Sequence, residues 1–228
     1  MSGTVPGPAR HRTRLLVLPG VLSLVLVTIW LVGFSSALGV RTIRVSGEHR
    51  VSDSQILDAA GIRHGAPLSR LDTGAIRDRV ARIPAVRTVT VHTSYPSTVT
   101  ITVTERSAVG YRPDVAGVVL VDADNVEFAT ARSAPAGLPA LQVSGDQAKA
   151  AAAATVAGAL SPAFRTVVGR ISVPTTQSIT LTLTDGRTVL WGGTDRDTEK
   201  ATLLPVLVHQ PGQYFDVSDP SSVISRGA

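Results

Sequence analysis

The stretch Val89-Thr90-Val91-His92-Thr93-Ser94-Tyr95-Pro96-Ser97-Thr98-Val99-Thr100-Ile101-Thr102-Val103-Thr104 decides the fold of everything around it. Val89, Val91 and Thr93 alternate with Thr90 and His92. After Tyr95-Pro96 turns the chain, Val99, Ile101 and Val103 alternate with Thr98, Thr100, Thr102 and Thr104. Successive side chains of a strand point to opposite faces, so this alternation predicts a hairpin with one buried and one solvated face.

The buried face needs a cover, and the preceding residues supply one. Val51-Ser52-Asp53-Ser54-Gln55-Ile56 is a capping box, with Ser52 as N-cap and Val51 and Ile56 as a hydrophobic staple, so a helix is predicted from Asp53. Gly61 supplies the left-handed residue that ends it. A second helix is predicted after Asp72, with Ile76, Val80 and Ile83 at helical spacing and Pro84 as its stop. Arg77, Asp78, Arg79 and Arg82 fall on its other face, which reads either as a solvated surface or as a docking face for an acidic partner. Thr42 to Val45 reads as a short strand. The order β-α-α-β-β predicts a two-layer α+β unit, both helices covering one face of a three-stranded sheet.

Upstream, Leu15 to Val40 holds no charged residue and is bracketed by Arg14 and Arg41. At a rise of about 1.5 Å per residue, some 20 apolar residues cross a bilayer core of about 30 Å, so 15–40 is predicted to be a membrane-spanning helix in contact with lipid, preceded by a short tail at 1–14. Pro19 is tolerable near a helix start, where its missing N–H would be unpaired anyway. Phe34-Ser35-Ser36-Ala37-Leu38 also offers small residues to a signal peptidase, but signal-peptide apolar regions run about 7–15 residues, and the greater length here favours an uncleaved anchor. Arg10, Arg12 and Arg14 are matched by Arg41, Arg44 and Arg50, so charge alone leaves the orientation open.

The net charge of +5 is unevenly placed. Residues 41–106 carry ten Arg against six acids, and 107–228 nine Lys/Arg against eleven acids, a change of sign that marks a domain boundary near Arg106. The tail charges suit anionic lipid headgroups and the aromatics are too sparse for a stacking platform, so no nucleic-acid partner is expected. Cysteine is absent, excluding disulfide scaffolds and thiol catalysis. Neither Gly-x-Ser-x-Gly, nor a phosphate loop, nor His-Glu-x-x-His occurs, and His11, His49, His64, His92 and His209 share no metal-ligand spacing. Asp122, Asp124 and Asn125 suggest a calcium loop, but Glu127 occupies the position that requires Gly, so a turn is expected. Lys200, among Asp195, Asp197 and Glu199, has no Ser partner in any catalytic motif. No catalysis, cofactor, metal or small-molecule substrate is expected.

Beyond Arg106, Gly117 to Asp122 and Asn125 to Phe128 read as a hairpin, and Gln147 to Leu160 as an Ala-rich helix stopped by Ser161-Pro162. Such a helix packs closely or stays peripheral. Val167 to Val173, Ile179 to Thr184 and Thr188 to Trp191 read as strands. Asp185-Gly186 suggests a type I′ turn, and a last helix is expected over about Asp197 to His209, kinked or split by Pro205.

Taken together, Ile43-Arg44-Val45-Ser46-Gly47, Val51-Ser52, Gly61, Leu68, Ile83-Pro84-Ala85-Val86 and the run from Tyr95-Pro96 to Glu105-Arg106 resemble a POTRA domain. With one span before it, the chain resembles the FtsQ/DivIB family of bacterial cell-division proteins. Leu120-Val121-Asp122, Trp191-Gly192, Lys200 and Phe215-Asp216-Val217 extend the likeness, while Asn125, Pro205 and Pro220 depart from it. The resemblance implies a POTRA-like domain at 41–106 and an FtsQ-type β domain at 107–228, on the outer face of the cell membrane with the N-terminus in the cytoplasm. It implies a non-catalytic scaffold at the division septum that links early and late division proteins, with a part in controlling septal peptidoglycan synthesis. It also implies small bitopic partners of the FtsB and FtsL kind. The expected mode is β-augmentation at the last sheet edge, Val217, Ser221, Ser222, Val223, Ile224 and Ser225, with a second docking face at Arg77, Arg79 and Arg82. The alternative is a POTRA-bearing component of outer-membrane protein transport.

Overall fold

The structure is a computed structural model that describes residues 21–24, 27, 38–143 and 145–227. Among the described residues no helix is long and apolar enough to cross a membrane, and most of the span expected at 15–40 lies outside them. The chain divides into two compact units, Met1–Glu105 and Arg106–Ala228.

In the first unit β1 (Thr42–Ser46) is followed by α1 (Asp53–Ala60), α2 (Thr73–Val80), β2 (Val86–Ser94) and β3 (Thr98–Glu105). The sheet order is β1-β3-β2, with β3 antiparallel to β2 and parallel to β1. The hairpin register sets Val91 opposite Ile101 and Val89 opposite Val103. Its turn contains a cis Tyr95–Pro96 bond. Val99, Ile101 and Val103 are buried with Ile56, Ala60, Ile76 and Val80, so both helices cover the same face. Burying such side chains contributes roughly 1.5–3 kcal/mol each.

Local rules hold closely at α1. The Gln55 N–H donates to Ser52 Oγ at 3.3 Å, and Gly61 closes the helix at φ 59. Likewise Asp72 accepts the Ala75 N–H at 2.9 Å at the start of α2. That helix stops at Val80, four residues before the proline expected to end it. Arg82 N–H then bonds Arg79 O and Ile83 N–H bonds Val80 O, a tighter winding that swings Ile83 into the core before Pro84 is reached. Gly47 leaves β1 at φ 89, where an added Cβ would sit 2.1 Å from Val103 O.

Gly39 and Val40, taken from sequence as the end of the span, belong instead to this unit. Gly39 bridges Pro67, Val40 is 1% exposed, and its N–H and C=O are paired with Ala66 O and Gly65 N–H at 2.9 and 2.8 Å.

The second unit runs β4 (Gly110–Asp114), β5 (Gly117–Val121), β6 (Glu127–Ala131), β7 (Ala140–Gln142), α3 (Gln147–Ala159), α4 (Pro162–Arg165), β8 (Val168–Thr175), β9 (Ser178–Leu183), β10 (Thr188–Gly192), α5 (Asp197–Leu207), β11 (Tyr214–Asp216) and β12 (Ile224–Arg226). Its nine strands form one mixed sheet in the order β12-β11-β10-β9-β8-β7-β4-β5-β6. α3 packs closely, burying Ala150, Ala152, Ala153, Ala154, Val156 and Ala157. Asn125 takes the left-handed conformation at φ 62 that Gly would otherwise supply. The Asp185-Gly186 hairpin forms with a different turn. Only Gly186 has positive φ; its N–H bonds Leu183 O, and the Leu183 N–H bonds Arg187 O, the pattern of a turn closed by a glycine bulge. Pro205 does not split the last helix, which continues to Leu207.

Candidate functional site

The sheet ends on its α5 side in two three-residue strands. β11 lies parallel to β10 and carries Phe215, fully buried, between half-buried Tyr214 and Asp216. β12 lies antiparallel to it, pairing Ile224 with Asp216, Ser225 with Phe215 and Arg226 with Tyr214, and all three of its residues are exposed. Gln213 O accepts from Thr188 N–H and Val217 N–H donates to Leu190 O, so this side of β11 faces β10. By alternation, Tyr214 bonds Arg226 and Asp216 bonds Ile224, so the N–H and C=O of Ser225 point away from the sheet.

The residues expected to form this edge therefore separate. Ile224 and Ser225 lie on it. Val217 is instead a core residue, 0% exposed, because it continues the β10 pairing beyond β11. Ser221 and Ser222 form a turn in place of edge strand: Ser221 N–H donates to Asp219 Oδ1 at 2.9 Å and Ser222 N–H to Asp219 O at 3.0 Å. Val223 packs half-buried on the core as the chain returns to β12. Pro220 starts that turn, so its lack of a donor costs the sheet nothing.

Arg196, which no motif singled out, braces the turn from below. It precedes α5 in the left-handed conformation at φ 53. Its guanidinium reaches Glu199 at 2.7 Å, Asp219 at 3.3 Å and Ser221 Oγ at 3.2 Å. The Ser221 N–H, foremost, holds the Asp219 carboxyl below the usual carboxylate range. Only the turn signal Asp219-Pro220-Ser221 could have pointed to this bracing, because Arg196 and Asp219 are far apart in sequence.

One turn into α5, Lys200 is wholly buried. Its Nζ donates to Gly193 O at 3.0 Å, stands 3.5 Å from Asp195 Oδ1 and lies over the Trp191 ring at 5.9 Å. Trp191 Nε1–H donates to Asp197 at 2.7 Å. Burial raises the Asp197 carboxyl above its ordinary value in spite of that bond and the nearby ammonium. Lys200 donates into the β10–α5 loop and Trp191 to the first residue of α5, which makes the cluster a brace for the sheet end. Among the described residues no group of three His, Asp or Glu could hold a metal ion.

In the first unit Arg77, Arg79 and Arg82 do not form one face. Arg77 and Arg82 are exposed, Arg77 bonded to Asp78 at 2.9 Å. Arg79 is half-buried and clamps the end of α1, with Nε and Nη2 donating to Ala60 O at 3.2 and 2.5 Å.

Residues 38–106 match the family described as "POTRA domain, FtsQ-type", and residues 111–218 the family "Cell division protein FtsQ/DivIB, C-terminal". A cell division protein FtsQ of Streptomyces collinus is 33% identical over 98% of this chain and 93% of its own length. The chain belongs to the FtsQ/DivIB cell-division family. The FtsQ of Mycobacteroides abscessus is 38% identical over 94% of this chain and 72% of that protein. The FtsQ of Mycobacterium tuberculosis is 43% identical over 82% of this chain, but this chain spans only 60% of its length. A POTRA domain and a second FtsQ-type domain follow from this membership.

Proposed function

We propose that this FtsQ-family chain is a non-catalytic scaffold of the division septum that takes an extended partner segment onto β12. The observation that carries this is β12, an edge strand whose three residues are all exposed and whose outer side, by alternation, presents the N–H and C=O of Ser225. An added strand would gain main-chain hydrogen bonds there, with specificity from the side chains flanking Ser225, Ile224 and Arg226. The partners are small bitopic division proteins of the FtsB and FtsL kind, and through them the chain links early and late division proteins and acts on septal peptidoglycan synthesis. The apolar stretch that starts at Leu15 and ends before Gly39 anchors it in the cell membrane, with the POTRA-type and second domains outside. Arg77 and Arg82 offer a secondary acidic-partner face, with Arg79 contributing through the stability of α1.

Replacing Ser225 by Pro removes the outward donor without touching the core. Ser225→Pro is expected to weaken capture of the partner's extracytoplasmic segment by about tenfold or more, the loss of at least one well-made interface hydrogen bond, while leaving the melting temperature within a degree or two. Unchanged capture by the folded variant would place the partner elsewhere.

A further inference from the structure

Val40 does not hang from the first unit on a linker. Its pairing with Gly65 and Ala66, and the Gly39–Pro67 bridge, fix the end of the apolar stretch against the loop that follows α1. Beside this point opens a groove of about 210 Å³ lined by Arg63, Ala66, Pro67, Arg70, Asp72 and Arg79. Ala66 and Pro67 are the residues that hold Val40 and Gly39, so the groove and the chain's entry share a wall. Arg63, Arg70 and Arg79 line it with one carboxylate and the apolar Ile62, Leu71 and Ile76. Arg79 already donates to Ala60 O, and Asp72 Oδ1 accepts the Ala75 N–H at the start of α2, so the positive charge at its mouth is carried by exposed Arg63 and Arg70. The positive end of that helix dipole adds to the field.

We infer that this groove binds the phosphate of an anionic phospholipid headgroup, seating the rim of the first unit on the bilayer. The inference rests on the reading of the apolar stretch before Gly39 as a span, which sets the bilayer surface next to this groove. Guanidinium groups match phosphate oxygens bidentately, and a negative leaflet draws Arg to its surface. The same rim carries Tyr95, 60% exposed in the β2–β3 turn, where Arg41 and Thr42 N–H groups both donate to Ser97 O. An exposed phenol suits the headgroup level, where aromatic residues gather. The acids Glu48 and Glu105 stand at the opposite end of β1 and β3.

Since the chain contains no cysteine, one fluorophore can be placed at will. The full chain is reconstituted in nanodiscs of phosphatidylcholine, with or without phosphatidylglycerol, containing a lipid with a quencher on its headgroup. A fluorophore on His64→Cys is expected to be quenched about threefold more in the anionic discs, and one on Thr88→Cys, at the far end of β2, equally in both. Arg63→Gln with Arg70→Gln abolishes the difference, and Arg63→Gln alone, at an exposed position, reduces it. Arg77→Gln with Arg82→Gln removes the same charge away from the groove and leaves it. Equal quenching at position 64 in both discs overturns the inference, as does equal loss in the two double variants or competition by inorganic phosphate. Failure of the chain to enter discs at all sinks the span instead, a separate result.

Discussion

Glu105, the last residue of β3, accepts the backbone N–H groups of His49, Arg50 and Val51 at 2.7 to 2.9 Å, tying the loop before α1 to the far end of the sheet. Burial pushes its carboxyl up, but the donors from His49, Val51 and Arg50 together hold it below the usual value. The unfolded chain then takes up a proton more readily than the folded one. The stabilisation is present above the ordinary Glu pKa and is lost as pH falls through the lower folded value. Glu105→Ala is expected to cost roughly 1–3 kcal/mol at pH 7, with the gap from the parent closing below about pH 4 in urea melts. A gap that stays constant with pH would refute the charge as its source. At the second unit's sheet end, Lys200→Ala would open a cavity under Trp191 and orphan Gly193 O. It is expected to cost roughly 2–4 kcal/mol by chemical denaturation. Capping residues were legible in the sequence because their rule is local: Ser52, Gly61 and Asp72 do what their neighbours dictate. Val217, Arg196 and Arg79 were not, because their roles depend on partners brought together only by folding, Leu190 for the first, Asp219 for the second and Ala60 for the third.

Elements with strong periodicity are placed by sequence to within a residue or two, as β3, β9, α1 and α3 illustrate, whereas β2 begins three residues before the alternation at Val89 shows it. The elements missed are those whose pattern is too short or too mixed. β7 has three residues and no period. β4 reads as Gly-Tyr-Arg-Pro-Asp, a turn composition, and is a strand only because Tyr111 pairs with Leu120 and Ala140 and Gly110 leaves room for Leu141. Pro113 is accepted there because β7 reaches only Tyr111 and asks no donor of it. α4 was read as a stop because Ser161-Pro162 ends one helix and also starts another, Ser161 accepting the Phe164 N–H at 3.1 Å. Pro205 shows the reverse. Sequence gave it the power to break α5, yet it lies close to the helix end, exposed on its outer side, while Leu204 anchors the helix in the core. Pro205→Ala restores a donor toward Ala201 O and is expected to stabilise the second unit by about 1–3 kcal/mol, read as a rise in its melting temperature.

At the scale of the whole molecule, two separate cores imply two cooperative units. Calorimetry of the folded chain is expected to resolve two transitions. Ile101→Ala, at a fully buried site of the first core, should lower one by the equivalent of about 2–5 kcal/mol and leave the other in place. Movement of both would show that the units unfold together. The change of charge sign near Arg106 was visible in the sequence, whereas the seating of Val40 was hidden, since apolar residues look alike in a bilayer and in a core. The parallel register of β1 on β3 gives the first unit a mechanical character. Tension between the stretch before Gly39 and the second unit enters at the start of β1 and leaves at the end of β3. Five facing pairs, Thr42–Thr98 to Ser46–Thr102, are then loaded in shear, all at once, instead of being unzipped one by one. Under the proposed anchoring and edge binding, the first unit would thereby pass on a pull without giving way.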